Sequence, residues 1–346
     1  MSGRTRKTPP GMIQSGTGQA GMGGFVLVNA LVLVLALAAL STWMLSRAEG
    51  GRMRLQAGLE AAQITLALDA MDALALSLLH QDQGAIDHTG EGWARPIAAL
   101  ELAPELIPGE GTREVGGEIT DLQGRFNVNW LSDSTNLAAR AGFDRLLTQL
   151  ALPAQTGQTL TRFLRPGTTF SRAERAPWLQ MDPPRDPIGG PLLNADQLAE
   201  HPGLSPATYA RLRPWITALP SDSALNVNTA PAEVLQAFLP HLPPAALSRL
   251  LAQRRRQPFA SVDAFLIAAR LEQLLEEQQE DEAEDDGEEA ALRPEQLTVG
   301  SSWFRLDAWA RQDGPQGRLE ARRSTLLQRR GPRQRPALIW QITRRP

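Results

Sequence analysis

The pattern of apolar and polar positions divides this chain into three regimes. From Phe25 to Leu45 no side chain is charged and most are aliphatic. A helix rises about 1.5 Å per residue, so the run reaches roughly 30 Å, the thickness of one bilayer core. The helix is expected to continue past it. Leu55, Leu59, Ala62, Leu66, Ala70, Ala73 and Leu76 recur at three- and four-residue steps, which gathers them on one face. Arg54, Glu60, Gln63, Asp69 and Asp72 fall mostly elsewhere. Gly84 and the stretch Asp87-His88-Thr89-Gly90 supply the stop.

The second regime begins as a Pro- and Gly-rich loop over 85–116, with Trp93 as its anchor. Residues 117–129 alternate as strand, turn and strand: Glu118–Asp121, then Leu122–Arg125, then Phe126–Asn129. Residues 130–292 read as short amphipathic helices broken by prolines. The third regime, 297–343, returns to strand: Trp303–Ala310 and Arg318–Gln328 around the turn Asp313–Gly317, then Ala337–Thr343. A strand region split by a helical insert is the organisation predicted.

The insert carries a weak repeat. Phe126-Asn127-Val128-Asn129 is echoed by Leu225-Asn226-Val227-Asn228, and each copy precedes helical pattern. After the second copy, Asn228 or Thr229 is expected to cap a helix with Pro231 in its first turn. Two further amphipathic segments, Ala245–Arg254 and Gln257–Leu266, then follow a proline turn, an order similar to a helix-hairpin-helix, or SAM-like, module.

Composition narrows the chemistry. The absence of cysteine excludes disulfides, thiolate metal sites and a cysteine nucleophile. The formal charge is −3, and the first 24 residues hold Arg4, Arg6 and Lys7 without an acid, so their removal leaves −3 − 3 = −6. An acidic chain argues against general nucleic-acid affinity. His80, His88, His201 and His241 are scattered without metal-ligand spacing, and no nucleophile elbow or phosphate loop appears. Arg47, Arg52 and Arg54 lie closer to the apolar run than the leading cations do, which on charge counting alone puts the C-terminal mass in the cytoplasm. Long domains cross largely regardless of such counts.

Gly24 followed by Phe25 and a long apolar helix resembles a type IV prepilin leader, in which a prepilin peptidase cuts after the glycine. Pilins usually carry Glu where this chain has Asn29. The family that lacks that Glu is the type II secretion system minor pseudopilin K, and later segments resemble it in order. These are Asp87–Ala94, Ile119–Leu131, Trp215–Pro220 with Leu225–Ala230, Arg254–Leu266 and Ser301–Leu306. The resemblance implies an α+β fold: a pilin-like long N-terminal helix on a small antiparallel sheet, with a large all-α insert of two SAM-like, or helix-hairpin-helix-like, units. The implied segments are a leader 1–24, a transmembrane half-helix 25–45 and a periplasmic half-helix 46–84. Loop and first strands over 85–129, helical units over 130–223 and 224–292, and C-terminal strands over 293–346 follow.

The resemblance further implies a non-enzymatic inner-membrane protein with its C-terminal domain in the periplasm. Minor pseudopilins I and J, the peptidase and a secreted substrate are the implied partners, with no nucleic acid among them. A membrane-tethered DNA-binding helix-hairpin-helix module is the rival reading. It is weakened by His241 and Pro243, which stand where phosphate-binding glycines would be, since proline has no N–H to donate. The run Glu272–Glu289 holds eleven carboxylates, and such density favours a solvated loop. The sharper reading is a divalent cation: relatives of the family bind calcium, although no ligand set can be matched here, and Asp182, Asp186 and Asp196 are equally open. Asn29 has no charge to offer the amine of a neighbouring subunit, which points to a place at the tip of an assembly.

Overall fold

A computed structural model describes residues 22–102, 113–277, 294–314, 317–331 and 334–344. The chain falls into two compact units, Met1–Ala62 and Gln63–Pro346. Helix α1 (Met22–Gln81) begins in the first and ends in the second. Its apolar segment is long enough to cross a membrane, with mean hydropathy 2.5 and no residue of that window buried.

The described strands are β1 (Ile97–Glu101), β2 (Arg113–Asp121), β3 (Phe126–Asn127), β4 (Ile216–Thr217), β5 (Leu225–Asn226), β6 (Leu297–Thr298), β7 (Trp303–Gly314), β8 (Gly317–Gln328) and β9 (Ala337–Arg344). Five of them form one antiparallel sheet in the order β1-β2-β7-β8-β9. In β2, β7 and β8, alternate residues Val115, Ile119, Phe304, Leu306, Ala308, Ala310, Ala321 and Leu327 are buried against the last five turns of α1. The helix answers with Ile64, Leu68, Met71, Ala75 and Leu79, at steps of three and four. Trp93 is buried in the same core, its ring edge-on to Phe304 at 5.0 Å.

The buried stripe is therefore not the one that the leucine spacing picks out. Leu55, Leu59, Leu66, Ala62, Ala70 and Ala73 are exposed and Leu76 is half-buried. The helix carries two apolar faces, and the sheet takes the one that includes Ile64 and Met71. The segment 117–129 also differs from a strand-turn-strand pair. Its first half is β2, which pairs with β7, while β3 leaves the sheet and pairs in parallel with β4. Strand β1, in the stretch read as loop, covers the edge of β2.

Between β3 and β6 lies the helical insert: α2 (Leu137–Gln149), α3 (Gln155–Leu164), α4 (Arg172–Leu179), α5 (Pro206–Leu212), α6 (Ala232–Phe238), α7 (Pro244–Arg256) and α8 (Val262–Glu277). One core runs through it. Phe126 stacks on Phe143 at 5.0 Å and on Phe238 at 5.7 Å, so helices that follow the two repeat copies meet at one ring. Gly142 permits that approach, because a Cβ there would lie 2.4 Å from the Phe238 ring. Helix α6 starts without a side-chain cap, on Pro231. Asn228 and Thr229 are engaged elsewhere.

Candidate functional site

The repeated Asn-x-Asn motif is a set of buried adhesive amides. Asn129 accepts from Leu192 N at 2.8 Å and donates to Leu192 O at 2.9 Å. Asn228 accepts from Phe259 N at 2.9 Å and donates to Phe259 O at 2.9 Å. A carboxamide carries one donor group and one acceptor, so it pairs with a peptide as another strand would. The first Asn of each copy accepts the N–H two residues on, from Asn129 at 3.1 Å and from Asn228 at 2.9 Å. Asn228, expected to cap a helix, thus fixes the loop at Phe259 instead, as Asn129 fixes that at Leu192.

Asn226 leads into a buried polar junction. Its Nδ2 donates to Asp121 Oδ2 at 3.1 Å and to Ser301 Oγ at 2.8 Å. Asp121 also accepts from Thr229 Oγ1 at 2.5 Å and from Ser301 Oγ at 2.6 Å. Beside it, Asp87 accepts from Ser301 N at 2.6 Å and from the Arg329 guanidinium, which also donates to Asp82 at 2.7 Å. Burial raises the Asp121 carboxyl above the carboxylate range, and burial, opposed by Ser301 and Arg329, pushes Asp87 up to about 6.

Asp82, Asp87 and Glu91 are the described carboxylates whose oxygens come within 4.8 Å of one another. Their chemistry is poorly matched to a divalent ion, because Arg329 already supplies the cation to two of them and Glu91 accepts from Trp93 Nε1 at 2.8 Å. The other acidic candidates do not converge. Asp186 binds Arg175 at 2.7 Å, and Asp196 binds Arg213 at 3.0 Å and Arg344 at 3.1 Å. The acidic run opens as the end of α8, a helix rather than a loop over 272–277, and its residues 278–289 lie outside the described residues.

His201 is buried edge-on to Phe163 at 4.7 Å and to Trp178 at 5.1 Å, and burial lowers its pKa to about 4. Asp87 and His201 act oppositely on stability. The raised Asp87 contributes stability that is full below about 4 and lost as pH rises toward about 6. The lowered His201 contributes stability that is full above its ordinary 6.5 and lost as pH falls toward about 4. Between those values the two slopes offset one another. Asp87→Asn is expected to make the melting temperature rise with pH across this window, and His201→Phe to make it fall. Parallel profiles for both variants and the unmodified chain would refute the assignment.

The last turn of α7 carries Arg254, Arg255 and Arg256. Arg254 turns inward and donates to Val227 O at 2.8 Å and Ala230 O at 2.7 Å, closing the second Asn motif. Burial lowers its pKa to about 10.

Gly24 and Phe25 lie in the first turns of α1, where Phe25 is 70% exposed, and Asn29 is exposed one turn further on. Phe25, Asn29 and the outward stripe with Leu59 and Leu66 are exposed.

Residues 124–221 and 225–283 each match a domain described as type II secretion system (T2SS), protein K, so the matches fall on the insert built around the two Asn motifs. The type II secretion system protein K of Pseudomonas aeruginosa is 31% identical over 201 residues, covering 52% of this chain and 54% of the relative. That of Aeromonas hydrophila is 28% identical over 233 residues, covering 61% of this chain and 68% of the relative. Both matched domains and both relatives are of the type II secretion system protein K family, which this chain resembles over its insert. The chain thus spans about half the length of the first of these protein K relatives. The fold also matches that of a chain in a solved structure of the GspK-GspI-GspJ complex from enterotoxigenic Escherichia coli. The TM-score is 0.63 and the identity 22%, with 84% of this chain and 99% of that one covered, which establishes the common fold. The residues read as a helix-hairpin-helix unit fall within the second protein K match, and these matches give the DNA-binding alternative no support.

Proposed function

We propose that this protein is a minor pseudopilin that caps the tip of a type II secretion pseudopilus and supports protein export across the outer membrane, and that it is not an enzyme. The observation that carries the reading is the joining, in one chain, of the protein K insert to a bilayer-length helix headed by Gly24-Phe25. A prepilin peptidase cuts between those residues, and the helix anchors the mature protein in the inner membrane with residues 46–346 in the periplasm. The partners are minor pseudopilins I and J, and the related complex is named for K, I and J together. Asn29, uncharged where pilins carry Glu, supports a place at the tip, and a large insert that would clash with a next subunit agrees with it. The leader 1–24, the helical units 130–223 and 224–292, and the closing strands 293–346 are the working segments, and a secreted substrate is a further contact.

Mass spectrometry of the N-terminal peptide, from cells that express a prepilin peptidase, tests this. A mature chain that begins at Phe25 is expected, and an intact Met1 would overturn the reading.

A further inference from the structure

The sheet face turned away from α1 carries a trough of about 970 Å³, at the upper end of ordinary ligand clefts. Trp309 forms part of its floor: the indole lies over Gly116, where a Cβ would meet the ring at 2.6 Å. Arg311 stacks on that indole, 4.4 Å from its centroid. Arg213, Arg311, Arg322 and Arg344 line the trough, drawn from the insert and from three strands.

Carboxylates are short of the cations here. Glu320 is shared by Arg311 at 3.1 Å and Arg322 at 2.9 Å. Asp196 is shared by Arg213 at 3.0 Å and Arg344 at 3.1 Å. A guanidinium has five N–H donors, so sharing leaves donors unspent on every arginine. Arg125, outside the lining of the trough but within electrostatic reach of Arg213, is the extreme case. Its half-buried guanidinium makes no hydrogen bond or ion pair with any described residue, and it lies within electrostatic reach of Arg305, Asp307, Arg213 and Glu118. Burial first, then repulsion from Arg305, lowers its pKa to about 10. A desolvated cation without a partner is costly, and an incoming anion relieves that cost.

We infer that this trough is a docking site for an extended, carboxylate-bearing segment of another protein, with Arg213 gripping an acidic side chain, Arg125 adding its charge from beside the trough, and Trp309 seating an apolar one. Charge complementarity decides the occupant. The spare donors suit the forked geometry of carboxylates, and the apolar floor of Trp309, Ile97 and Ile342 suits the side chains between them. The inference is independent of the reading as a pseudopilin, since it rests on the sheet face alone.

The test uses the full-length chain in detergent and a short fluorescent peptide alternating aspartate and valine, followed by anisotropy. The acidic peptide is expected to bind with an affinity that falls as salt rises, and its asparagine counterpart to bind at least about tenfold more weakly. Arg125→Gln is expected to weaken binding by about tenfold or more at an unchanged melting temperature. Arg322→Glu, on a side chain that is 72% exposed, keeps the proposal open to refutation should the first variant fail to fold. Equal binding of the two peptides, displacement by low inorganic phosphate, or unchanged affinity in folded Arg125→Gln or Arg322→Glu would each overturn it.

Discussion

Asp72→Ala is expected to cost about 3–5 kcal/mol of folding stability, the range for removing one partner of a buried ion pair. Asp72 is 4% exposed on the sheet-facing side of α1. It accepts from Thr325 Oγ1 at 2.6 Å, Arg323 Nη1 at 2.7 Å and Gln341 Nε2 at 2.7 Å. The alanine variant strands a guanidinium whose side chain is 5% exposed, with only the partly exposed Asp69 left to pair with it. The charge is not itself the source of stability. Two desolvated ions roughly break even with apolar residues of like volume, so Asp72→Leu combined with Arg323→Met is expected to recover most of the loss. Urea unfolding of the single and double variants measures both effects. Additive losses would show that the two side chains are not coupled.

That carboxylate also marks where the sequence is legible and where it is not. The period of α1 announces a helix with an apolar face, yet Leu55, Leu59 and Leu66 are as good a stripe as Ile64, Leu68 and Met71. Periodicity cannot choose between two faces of one helix, because the choice is made by what packs on it. Asp72 reads as solvent-facing until Arg323, Thr325 and Gln341 are placed on the inner face of β8 and β9. Their positions at i and i+2 within an apolar strand were the available signal. The long strands β7 to β9 were legible from alternation and from the turn between them. The two-residue strand β3 was legible as strand but its pairing was not, and β4 and β5 were not legible, because each is defined by a distant parallel partner. The same is true of the Asn motifs, whose repeat is visible although their roles depend on Leu192 and Phe259, about 63 and 31 residues away. Arg125 and the trough carry no sequence mark, since each arginine comes from a different element.

The second face of α1 yields the largest functional effect. Leu66 is 52% exposed, and Leu59, two turns earlier, is 55% exposed. Leu66→Asp is expected to leave the isolated chain within about 0.5 kcal/mol beyond the small helix-propensity cost of Asp, because nothing in the fold contacts that position tightly. In an assembly of membrane-proximal helices the same side chain would be buried among apolar neighbours. An unpaired carboxylate there costs several kcal/mol, enough to lower association by a hundredfold or more. Co-purification of Leu66→Asp with minor pseudopilins I and J should therefore fail while its melting temperature is retained. Leu68→Ala, only two residues on but fully buried, is expected to show the reverse order of causes. It loses about 2–5 kcal/mol of stability first, and assembly only as a consequence of unfolding. A Leu66→Asp chain that still recovers I and J at the unmodified yield would show that this stripe is not the docking face, and that the contacts lie on the sheet or the insert instead.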